Sequence, residues 1–293
     1  MIYVTYQRFY EDLAAWERKL PDYDAFVGVP RCGVLAAAGL ASRRNVRLVE
    51  LWQLLQYGAA ALTLPTLNST SHLVRRPAGN RVLIVDDTAG PTAGTFGRVK
   101  ERLARLGNTG LRIDYGILYR GFAGTQVDHY GFALPSFPVY EFDWFRRQYV
   151  GQMLFDLDGV ICEDFIPGPT GQEVDYSDEP DPDMLRAFRD VRPLYIPTWT
   201  VGGIVTGRLE KYRDVTEKWL AANHVTYNFL QMYPAARVAT RQQAGDVWQR
   251  KAEAYRSSRT WCFVESDPQQ SAKIATYARK PVLCPPINAV LRT

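Results

Sequence analysis

Two adjacent carboxylates end a short apolar segment and open a loop of small residues. Residues 82–85 are Val, Leu, Ile and Val, which is typical of a strand buried on both faces of a parallel sheet. Asp86 and Asp87 follow directly, and the segment from Thr88 to Thr95 contains only Thr, Ala, Gly and Pro before a helical pattern begins. The start of a helix offers unpaired backbone N–H groups, and small residues let a phosphate reach them. The segment predicts a phosphate-monoester site; the alternative is a strand end with a solvated acidic pair.

This loop differs from the common nucleotide-binding loops. It lacks the Lys of a Walker loop, and it contains no GxGxxG pattern. What it resembles is the phosphoribosyl pyrophosphate (PRPP) motif of type I phosphoribosyltransferases, in which an acidic pair precedes a Thr/Gly loop. The resemblance implies that Asp86 and Asp87 hold the ribose hydroxyls. It also implies 5'-phosphate contacts from the loop, namely from Thr88, Ala89, Gly90, Thr92, Ala93, Gly94 and Thr95. The loop is one residue longer than the family pattern, and its small residues come in a different order.

A second loop with the same resemblance precedes the acidic pair. Residues 27–33 read VGVPRCG and follow an apolar segment. They resemble the loop with which phosphoribosyltransferases bind pyrophosphate. By that resemblance Arg31 supplies positive charge, and the backbone around Cys32 and Gly33 supplies N–H donors. The alternative is an ordinary strand-to-helix turn with a surface arginine.

Two more segments of the first half are similar to parts of that family. The polar span 63–80 corresponds to a flexible loop of the family that closes over the reaction centre and excludes water. Arg75 and Arg76 are the candidate charged residues of this loop; the alternative is a solvated basic pair. Residues 127–145 resemble the base-binding hood of the purine-type enzymes. The alternative is that the aromatic residues of this segment only form the packed core of the hood. The resemblance gives these base-site candidates: Arg120, Val139, Tyr140 and Phe142, with Asp143 near the metal and pyrophosphate.

A second acidic motif follows the apolar residues 153–155. In an extended chain, residues two apart point the same way, so Asp156 and Asp158 of the DLDGV segment can face one site. DLDGV resembles the first motif of the haloacid-dehalogenase (HAD) superfamily, most of whose members are phosphatases. The resemblance implies that Asp156 attacks phosphorus and that Asp158 protonates the leaving oxygen and later activates water. A calcium loop or a turn is the alternative for this motif alone.

The remaining HAD motifs follow in the expected order. Thr206, after the apolar residues 203–205, would hold a phosphoryl oxygen, and Lys251 in a helical segment would neutralise phosphate charge. Glu265 and Asp267 follow the apolar residues 261–264 as the acidic metal motif. The implied cofactor is Mg²⁺, with Asp156, Asp158, Glu265 and Asp267 as candidate ligands. Which of Glu265 and Asp267 binds the metal is open.

The composition fits a protein of two ordinary domains. The chain has 293 residues, 46% hydrophobic and 23% charged, with a formal net charge of +4. Such a small charge without long basic runs suits an anionic small substrate and argues against a nucleic-acid partner. The four cysteines are far apart, and the sequence has no signal pattern or membrane-length apolar run. We therefore expect a cytoplasmic protein with no membrane partner.

Apolar segments alternating with helical patterns predict an α/β fold with two doubly wound parallel-sheet domains. The resemblances identify residues 1–148 as a type I phosphoribosyltransferase domain. They identify residues 149–293 as a HAD-like Rossmannoid domain with a minimal cap. The expected function is bifunctional: phosphoribosyl transfer between PRPP and a nucleobase, and hydrolysis of a phosphate monoester such as the nucleoside monophosphate product. The alternative is a HAD phosphatase for an unrelated phosphoester with a PRPP- or nucleotide-sensing regulatory domain. A homodimer is expected only by analogy.

Overall fold

The protein divides into two compact units, Met1–Val139 and Tyr140–Thr293. The computed structural model describes residues 1–63, 79–90, 92–107, 109–164, 179–234 and 246–292. Within these ranges no helix is both long and apolar enough to cross a membrane. The division lies a few residues before the predicted boundary at 148, and the assignment of a function to each unit remains a prediction.

The first unit is built on a five-stranded parallel sheet. Its strands are β2 (Ala25–Gly28), β3 (Arg47–Glu50), β4 (Arg81–Thr88), β5 (Arg112–Arg120) and β6 (His129–Ala133), in the order β3-β2-β4-β5-β6. Two short strands, β1 (Ile2–Val4) and β7 (Pro138–Tyr140), pair separately. The helices are α1 (Tyr6–Glu17), α2 (Cys32–Arg44), α3 (Leu51–Tyr57) and α4 (Gly94–Arg105), and a 3₁₀ helix spans Gly58–Leu62.

The core of this unit lies where the apolar patterns predict it. The four branched residues 82–85 of β4 are fully buried, as expected for a central strand covered on both faces. Helix α4 turns Phe96, Val99 and Leu103 toward this core, one helical face at i, i+3 and i+7. The strand continues past Val85 because β5 extends the ladder, which pairs Thr88 with Tyr119.

The strand order creates a crevice between β2 and β4. The chain leaves β2 toward β3 on one side, then returns to β4 and proceeds to β5 and β6 on the other. The connections that leave β2 and β4 therefore run in opposite directions, which makes this place a topological switch point. In open α/β sheets, ligands bind at such a point, just outside the carboxyl ends of the strands. Gly28 pairs with Val85 at this place, so the VGVPRCG loop and the acidic pair leave the sheet side by side.

The second unit repeats this plan with a six-stranded sheet. Its strands are β8 (Met153–Phe155), β9 (Gly203–Leu209), β10 (Leu230–Tyr233), β11 (Cys262–Val264), β12 (Val282–Cys284) and β13 (Ala289–Leu291), in the order β10-β9-β8-β11-β12-β13. All pairs are parallel except β12 with β13. The α-helices are α5 (Pro182–Asp190), α6 (Arg213–Ala222), α7 (Val247–Ser257) and α8 (Pro268–Ala278), and 3₁₀ helices span Trp144–Arg146, Gln148–Gln152, Glu210–Tyr212 and Pro285–Ile287.

Residues before β8 belong to this second core. The ring of Trp144 lies 5.9 Å from that of Phe155 and 5.3 Å from that of Tyr195, and Trp144 is 1% exposed. The segment 140–152 therefore packs with the strands that follow it. The switch point of this sheet falls between β8 and β11. The prediction of an α/β protein with two doubly wound sheets is confirmed, with β13 as one antiparallel edge strand.

One strand end differs from the sequence prediction. The apolar residues 203–205 predict a strand that stops before Thr206, whereas β9 continues to Leu209. The pairing with β10 explains the difference, because the ladder reaches Leu209 opposite Tyr233. Thr206 and Arg208 are therefore strand residues on one face of the sheet.

Candidate active sites

The turn from β2 into α2 in the first unit is held against β4 by close backbone contact. The N–H of Val29 donates to the carbonyl oxygen of Val85 at 2.8 Å. A Cβ atom added to Gly33 would lie 2.5 Å from that same oxygen and 2.9 Å from the Cα of Asp86. Only glycine fits there. The peptide bond between Pro30 and Arg31 is cis, and Arg31 is exposed whereas Cys32 is buried.

The acidic pair ends β4 beside this turn. Asp86 is 9% exposed and Asp87 3% exposed. The N–H of Asp87 donates to Oδ1 of Asp86 at 2.9 Å, and the hydroxyl of Thr88 donates to Oδ2 of Asp87 at 3.3 Å. Both residues thus lie at the carboxyl end of a central strand, and a Cβ added to Gly33 would lie 3.0 Å from Oδ1 of Asp86. This arrangement can accept hydrogen bonds from the hydroxyls of a sugar.

The loop between the acidic pair and α4 folds back on itself. The N–H of Ala93 donates to the carbonyl of Gly90 at 3.0 Å, and the buried hydroxyl of Thr125 donates to the same carbonyl at 3.3 Å. Ala93 has a left-handed backbone conformation with φ 46° and precedes Gly94, the first residue of α4. Thr92 and Gly94 are exposed, and Thr95 is half-buried. The loop therefore presents the first N–H groups of α4 at its rim, an arrangement suited to an anion.

The predicted base-site residues occupy several different places. Arg120 is the last residue of β5, and its guanidinium lies 3.7 Å from the ring centroid of Tyr130. Val139 and Tyr140 are buried in β7. Asp143 is buried in the second compact unit, where its Oδ2 lies 2.5 Å from Nε of Arg147.

Tyr140 and Phe142 stack on one another with ring centroids 5.0 Å apart. Of the predicted closing loop, residues 64–78, which include Arg75 and Arg76, lie outside the described residues.

In the second unit a buried lysine joins the two strand ends at the switch point. Nζ of Lys251, from α7, lies 2.7 Å from Oδ2 of Asp156, which follows β8. It also lies 2.7 Å from Oε2 of Glu265, which follows β11. The three side chains are between 1% and 8% exposed. Three predicted site residues, distant in the sequence, thus form one hydrogen-bonded cluster.

The charges in this cluster depend on one another. Burial raises the pKa of Asp156 well above its ordinary value, against the lowering influence of Lys251. Burial by itself would lower the pKa of Lys251, but the two carboxylates outweigh burial and raise it. Lys251 is therefore a permanent cation shared by two acidic side chains, a suitable counter-charge for a phosphoryl group.

Asp158 has a partner that sequence reasoning missed. Nη2 of Arg208 lies 2.6 Å from Oδ1 of Asp158. Arg208 comes from β9 and is almost fully buried. The signal was present in the sequence, because Thr206 and Arg208 are two apart in a strand and share a face. The hydroxyl oxygen of Thr206 accepts the N–H of Arg208 at 3.1 Å, and Thr206 is itself buried.

The two acids of the last motif have different surroundings. Glu265 is 1% exposed and belongs to the lysine cluster. Asp267 begins α8 as its N-cap, where Oδ1 accepts the N–H groups of Gln269 and Gln270 at 2.7 and 3.1 Å. Burial alone would raise the pKa of Asp267, but these hydrogen bonds outweigh burial and lower it.

The lysine cluster contains oxygen donors that could bind a metal ion. Each oxygen of Asp156 and Glu265 accepts one hydrogen bond: Oδ1 from the N–H of Leu157, Oε1 from that of Asp267, and the other two from Lys251. A carboxylate oxygen has a further lone pair, so both side chains keep acceptor capacity beside the ammonium of Lys251. These residues fit a hard divalent cation. Within the described ranges, no group of three or more His, Cys, Asp or Glu residues is arranged to hold a metal by side chains alone.

No family model matches the chain, and no curated protein matches it significantly. Solved structures similar to it include a purine phosphoribosyltransferase from Pyrococcus horikoshii Ot3, 21% identical over 47% of this chain and 91% of that one, with a TM-score of 0.32. Another is a xanthine-guanine-hypoxanthine phosphoribosyltransferase from Helicobacter pylori, 14% identical over 48% and 91%, with a TM-score of 0.34. A third is a hypothetical protein from Neisseria gonorrhoeae with bound ppGpp, 17% identical over 48% and 88%, with a TM-score of 0.33.

Proposed function

We propose that the protein is a bifunctional enzyme of nucleotide metabolism. The first unit transfers a phosphoribosyl group between PRPP and a nucleobase. The second unit hydrolyses a phosphate monoester, with the nucleoside 5'-monophosphate as its substrate. The observation that carries the second activity is the contact of Lys251 with Asp156 and Glu265 at 2.7 Å each. The first activity is supported by the acidic pair and the Gly33 turn, which leave neighbouring strands at a switch point.

The transfer step depends on positioning in the first unit. Asp86 and Asp87 bind the ribose hydroxyls, and the backbone of residues 88–95 with the start of α4 binds the 5'-phosphate. Arg31 and the turn to Gly33 bind pyrophosphate, the leaving group. The bond from the anomeric carbon to pyrophosphate breaks, and the base nitrogen forms the new bond. The chain needs no nucleophile of its own for this step, because orientation and charge stabilise the loose transition state.

The hydrolytic step proceeds through the protein itself. A carboxylate oxygen of Asp156 attacks phosphorus, the bond to the leaving oxygen breaks, and that oxygen takes a proton from Asp158. Water then attacks the phosphorus of the aspartyl phosphate, Asp158 takes a proton from the water, and inorganic phosphate leaves. Lys251 stays charged throughout and offsets the negative charge of the phosphoryl group.

The proposed cofactor of both units is Mg²⁺. In the second unit Asp156 and Glu265 would hold it, since Asp158 is bound by Arg208 and Asp267 caps α8. When bound, it supplies Lewis-acid polarisation of the phosphoryl oxygens. The assignment favours Glu265 over Asp267 as the ligand from the last motif.

The two activities form a sequence with a preferred direction. Phosphoribosyl transfer is reversible, whereas hydrolysis of the monophosphate in water is strongly downhill. Consumption of the product in the second unit therefore draws free base toward nucleoside. This function assigns the transferase to residues 1–148 and the phosphatase to residues 149–293, in a cytoplasmic enzyme.

The test is to incubate the protein with PRPP, Mg²⁺ and a panel of nucleobases, and to follow pyrophosphate, phosphate, monophosphate and nucleoside by mass spectrometry. We expect pyrophosphate release only when the correct base is present, followed by phosphate and nucleoside. The matched control is Asp87→Asn, which keeps the shape of the side chain and should abolish pyrophosphate release while added monophosphate is still hydrolysed.

Phosphate release without base-dependent pyrophosphate would contradict the transferase assignment. It would favour a phosphatase whose first unit only senses PRPP or a nucleotide, and binding of PRPP in calorimetry would then identify the sensor. Absence of phosphate release from any monophosphate would contradict the phosphatase assignment.

A further inference from the structure

Arg208 binds the carboxylate of Asp158 through two of its nitrogens. Nη2 lies 2.6 Å from Oδ1, and Nε lies 3.0 Å from Oδ1 and 3.0 Å from Oδ2. The Arg208 side chain is 2% exposed and that of Asp158 is 19% exposed. A buried guanidinium thus holds a carboxylate that reaches the rim of the site. A planar fork of this kind fixes orientation, which a lysine ammonium cannot do equally well.

The guanidinium is itself held on its other sides. Nη1 donates to the hydroxyl of Thr216, from α6, at 3.3 Å. The ring centroid of Phe188, from α5, lies 4.0 Å from Cζ, close enough for a cation–π contact. Nη2 also lies 3.4 Å from the Sγ of Cys162. Side chains of α5 and α6 and the thiol of Cys162 therefore fix the guanidinium, and among the described residues it contacts one member of the proposed catalytic set, Asp158.

The two oxygens of Asp158 are unequally occupied. Oδ1 accepts Nε and Nη2 of Arg208 and lies 3.5 Å from the Sγ of Cys162. Among the described residues, Oδ2 accepts one hydrogen bond, from Nε of Arg208 at 3.0 Å. Arg208 has no acceptor and does not release a proton at functional pH. It therefore cannot be the acid of the reaction.

We propose that Arg208 is a positioning residue for the phosphatase reaction: it fixes Oδ1 of Asp158 and thereby presents Oδ2 as the oxygen that exchanges the proton. This inference rests on the proposed phosphatase function. The effect of losing this contact should depend on the leaving group of the substrate. Departure of an alkoxide requires a well-aligned proton donor, whereas departure of p-nitrophenolate does not. Phosphoryl transfer to Asp156 is common to both substrates.

The experiment compares kcat/KM for alkyl and aryl monophosphates, because this parameter covers only the steps up to formation of the aspartyl phosphate. The probes are nucleoside 5'-monophosphates, ribose 5-phosphate, glycerol 2-phosphate and p-nitrophenyl phosphate. In Arg208→Lys, we expect kcat/KM for the best alkyl substrate to fall on the order of a hundredfold, and that for p-nitrophenyl phosphate by less than about threefold. A general disturbance of the folded site would lower kcat/KM for both substrates equally.

Two further variants keep the test decisive if Arg208→Lys does not fold. Thr216→Val preserves the shape of the side chain and the charge of Arg208 but removes the acceptor for Nη1. It should lower kcat/KM for the alkyl substrate a few-fold more than that for p-nitrophenyl phosphate. Arg213→Gln removes an arginine that pairs with Glu217 at 2.8 Å on the surface of the same unit, and it should leave both substrates unchanged. Thermal melting of all variants checks folding.

An equal loss for alkyl and aryl substrates, or no loss in Thr216→Val, overturns the positioning role and leaves the phosphatase function standing. Hydrolysis of p-nitrophenyl phosphate alone by the wild-type protein also overturns it, because no proton donor is then in use. Failure of the wild-type protein to hydrolyse any of the probes overturns the phosphatase function and the positioning role together.

Discussion

Nζ of Lys251 lies 2.7 Å from Oδ2 of Asp156, although the two residues are 95 positions apart in the chain. The same ammonium reaches Glu265, so one cation holds two buried acids together. Removal of one partner from a buried ion pair leaves an uncompensated buried charge and destabilises the fold strongly. The contact therefore affects stability as well as chemistry.

Replacement of Lys251 should destabilise the second unit strongly. Lys251→Met leaves Asp156 and Glu265 buried beside each other without a counter-charge, which costs about 3–5 kcal/mol. Urea unfolding of the variant measures this loss. Addition of Glu265→Gln to the lysine variant removes one of the two charges and should restore part of the stability. If the two changes are additive, the three side chains are not coupled as the distances indicate.

The two proposed activities should be separable by one substitution. Asp156→Asn retains the shape of the side chain but replaces the proposed attacking oxygen by an amide, so phosphate release should fall on the order of a thousandfold or more. Base-dependent pyrophosphate release should continue, and the nucleoside monophosphate should accumulate in the mass spectrum. Loss of both activities would show that the sites are not independent.

Glycine should be required at position 33 for steric reasons. The Cβ of Gly33→Ala would lie 2.5 Å from the carbonyl oxygen of Val85, so the turn must move away from β4. We expect a loss of about 1–3 kcal/mol in unfolding free energy and weaker PRPP binding in calorimetry. The matched control is Gly97→Ala in α4, where an added Cβ meets nothing within 4 Å. That helix change should stabilise by up to about 1 kcal/mol; equal effects at both positions would contradict the steric explanation.

The first unit should lose stability in acid through Asp114. Burial alone would raise the pKa of Asp114, but hydrogen bonds from Tyr23 at 2.7 Å and Arg81 at 2.8 Å outweigh burial and lower it. A lowered pKa in the folded state means that ionised Asp114 stabilises the fold above about pH 4, and that this contribution is lost as the pH falls through the folded-state pKa.

Thermal unfolding of Asp114→Asn at several pH values measures this effect. The wild-type protein should melt at a higher temperature than the variant near neutral pH, and the difference should shrink in acid. Glu101→Gln is the control for the removal of one surface carboxylate, since Glu101 is exposed in α4, and this variant should melt close to the temperature of the wild-type protein. A constant difference for Asp114→Asn would contradict the role of its ionised form.

Local patterns in the sequence were sufficient to predict the buried strands and the residues that follow them. The apolar residues 82–85 and 153–155 are buried strands of parallel sheets, as such short, continuous apolar runs bounded by polar residues predict. The acids after them lie at the carboxyl ends of those strands. The order of the motifs along the chain also predicted that Asp156 and Lys251 share a site.

Long-range pairing could not be predicted from such patterns. Strand β9 extends through Arg208 because β10 continues the ladder beside it, and a polar residue in that position looks like the start of a loop. In the sequence Asp267 is one of two candidate metal ligands, and its residue type does not show that its carboxylate also caps α8. Both features arise from distant strand partners or from backbone N–H groups, which carry no signal in residue type.

The order of strands in the second sheet also determines when its chemistry can appear. Strands β8 and β11 are neighbours, but α5, β9, α6, β10 and α7 lie between them along the chain. Contact between Asp156 and Glu265 therefore closes a long loop, and closure of such distant contacts is slow. Under the proposed function, phosphate release during refolding should therefore recover later than the helical circular-dichroism signal. The rate of phosphate release would then report the last stage of folding.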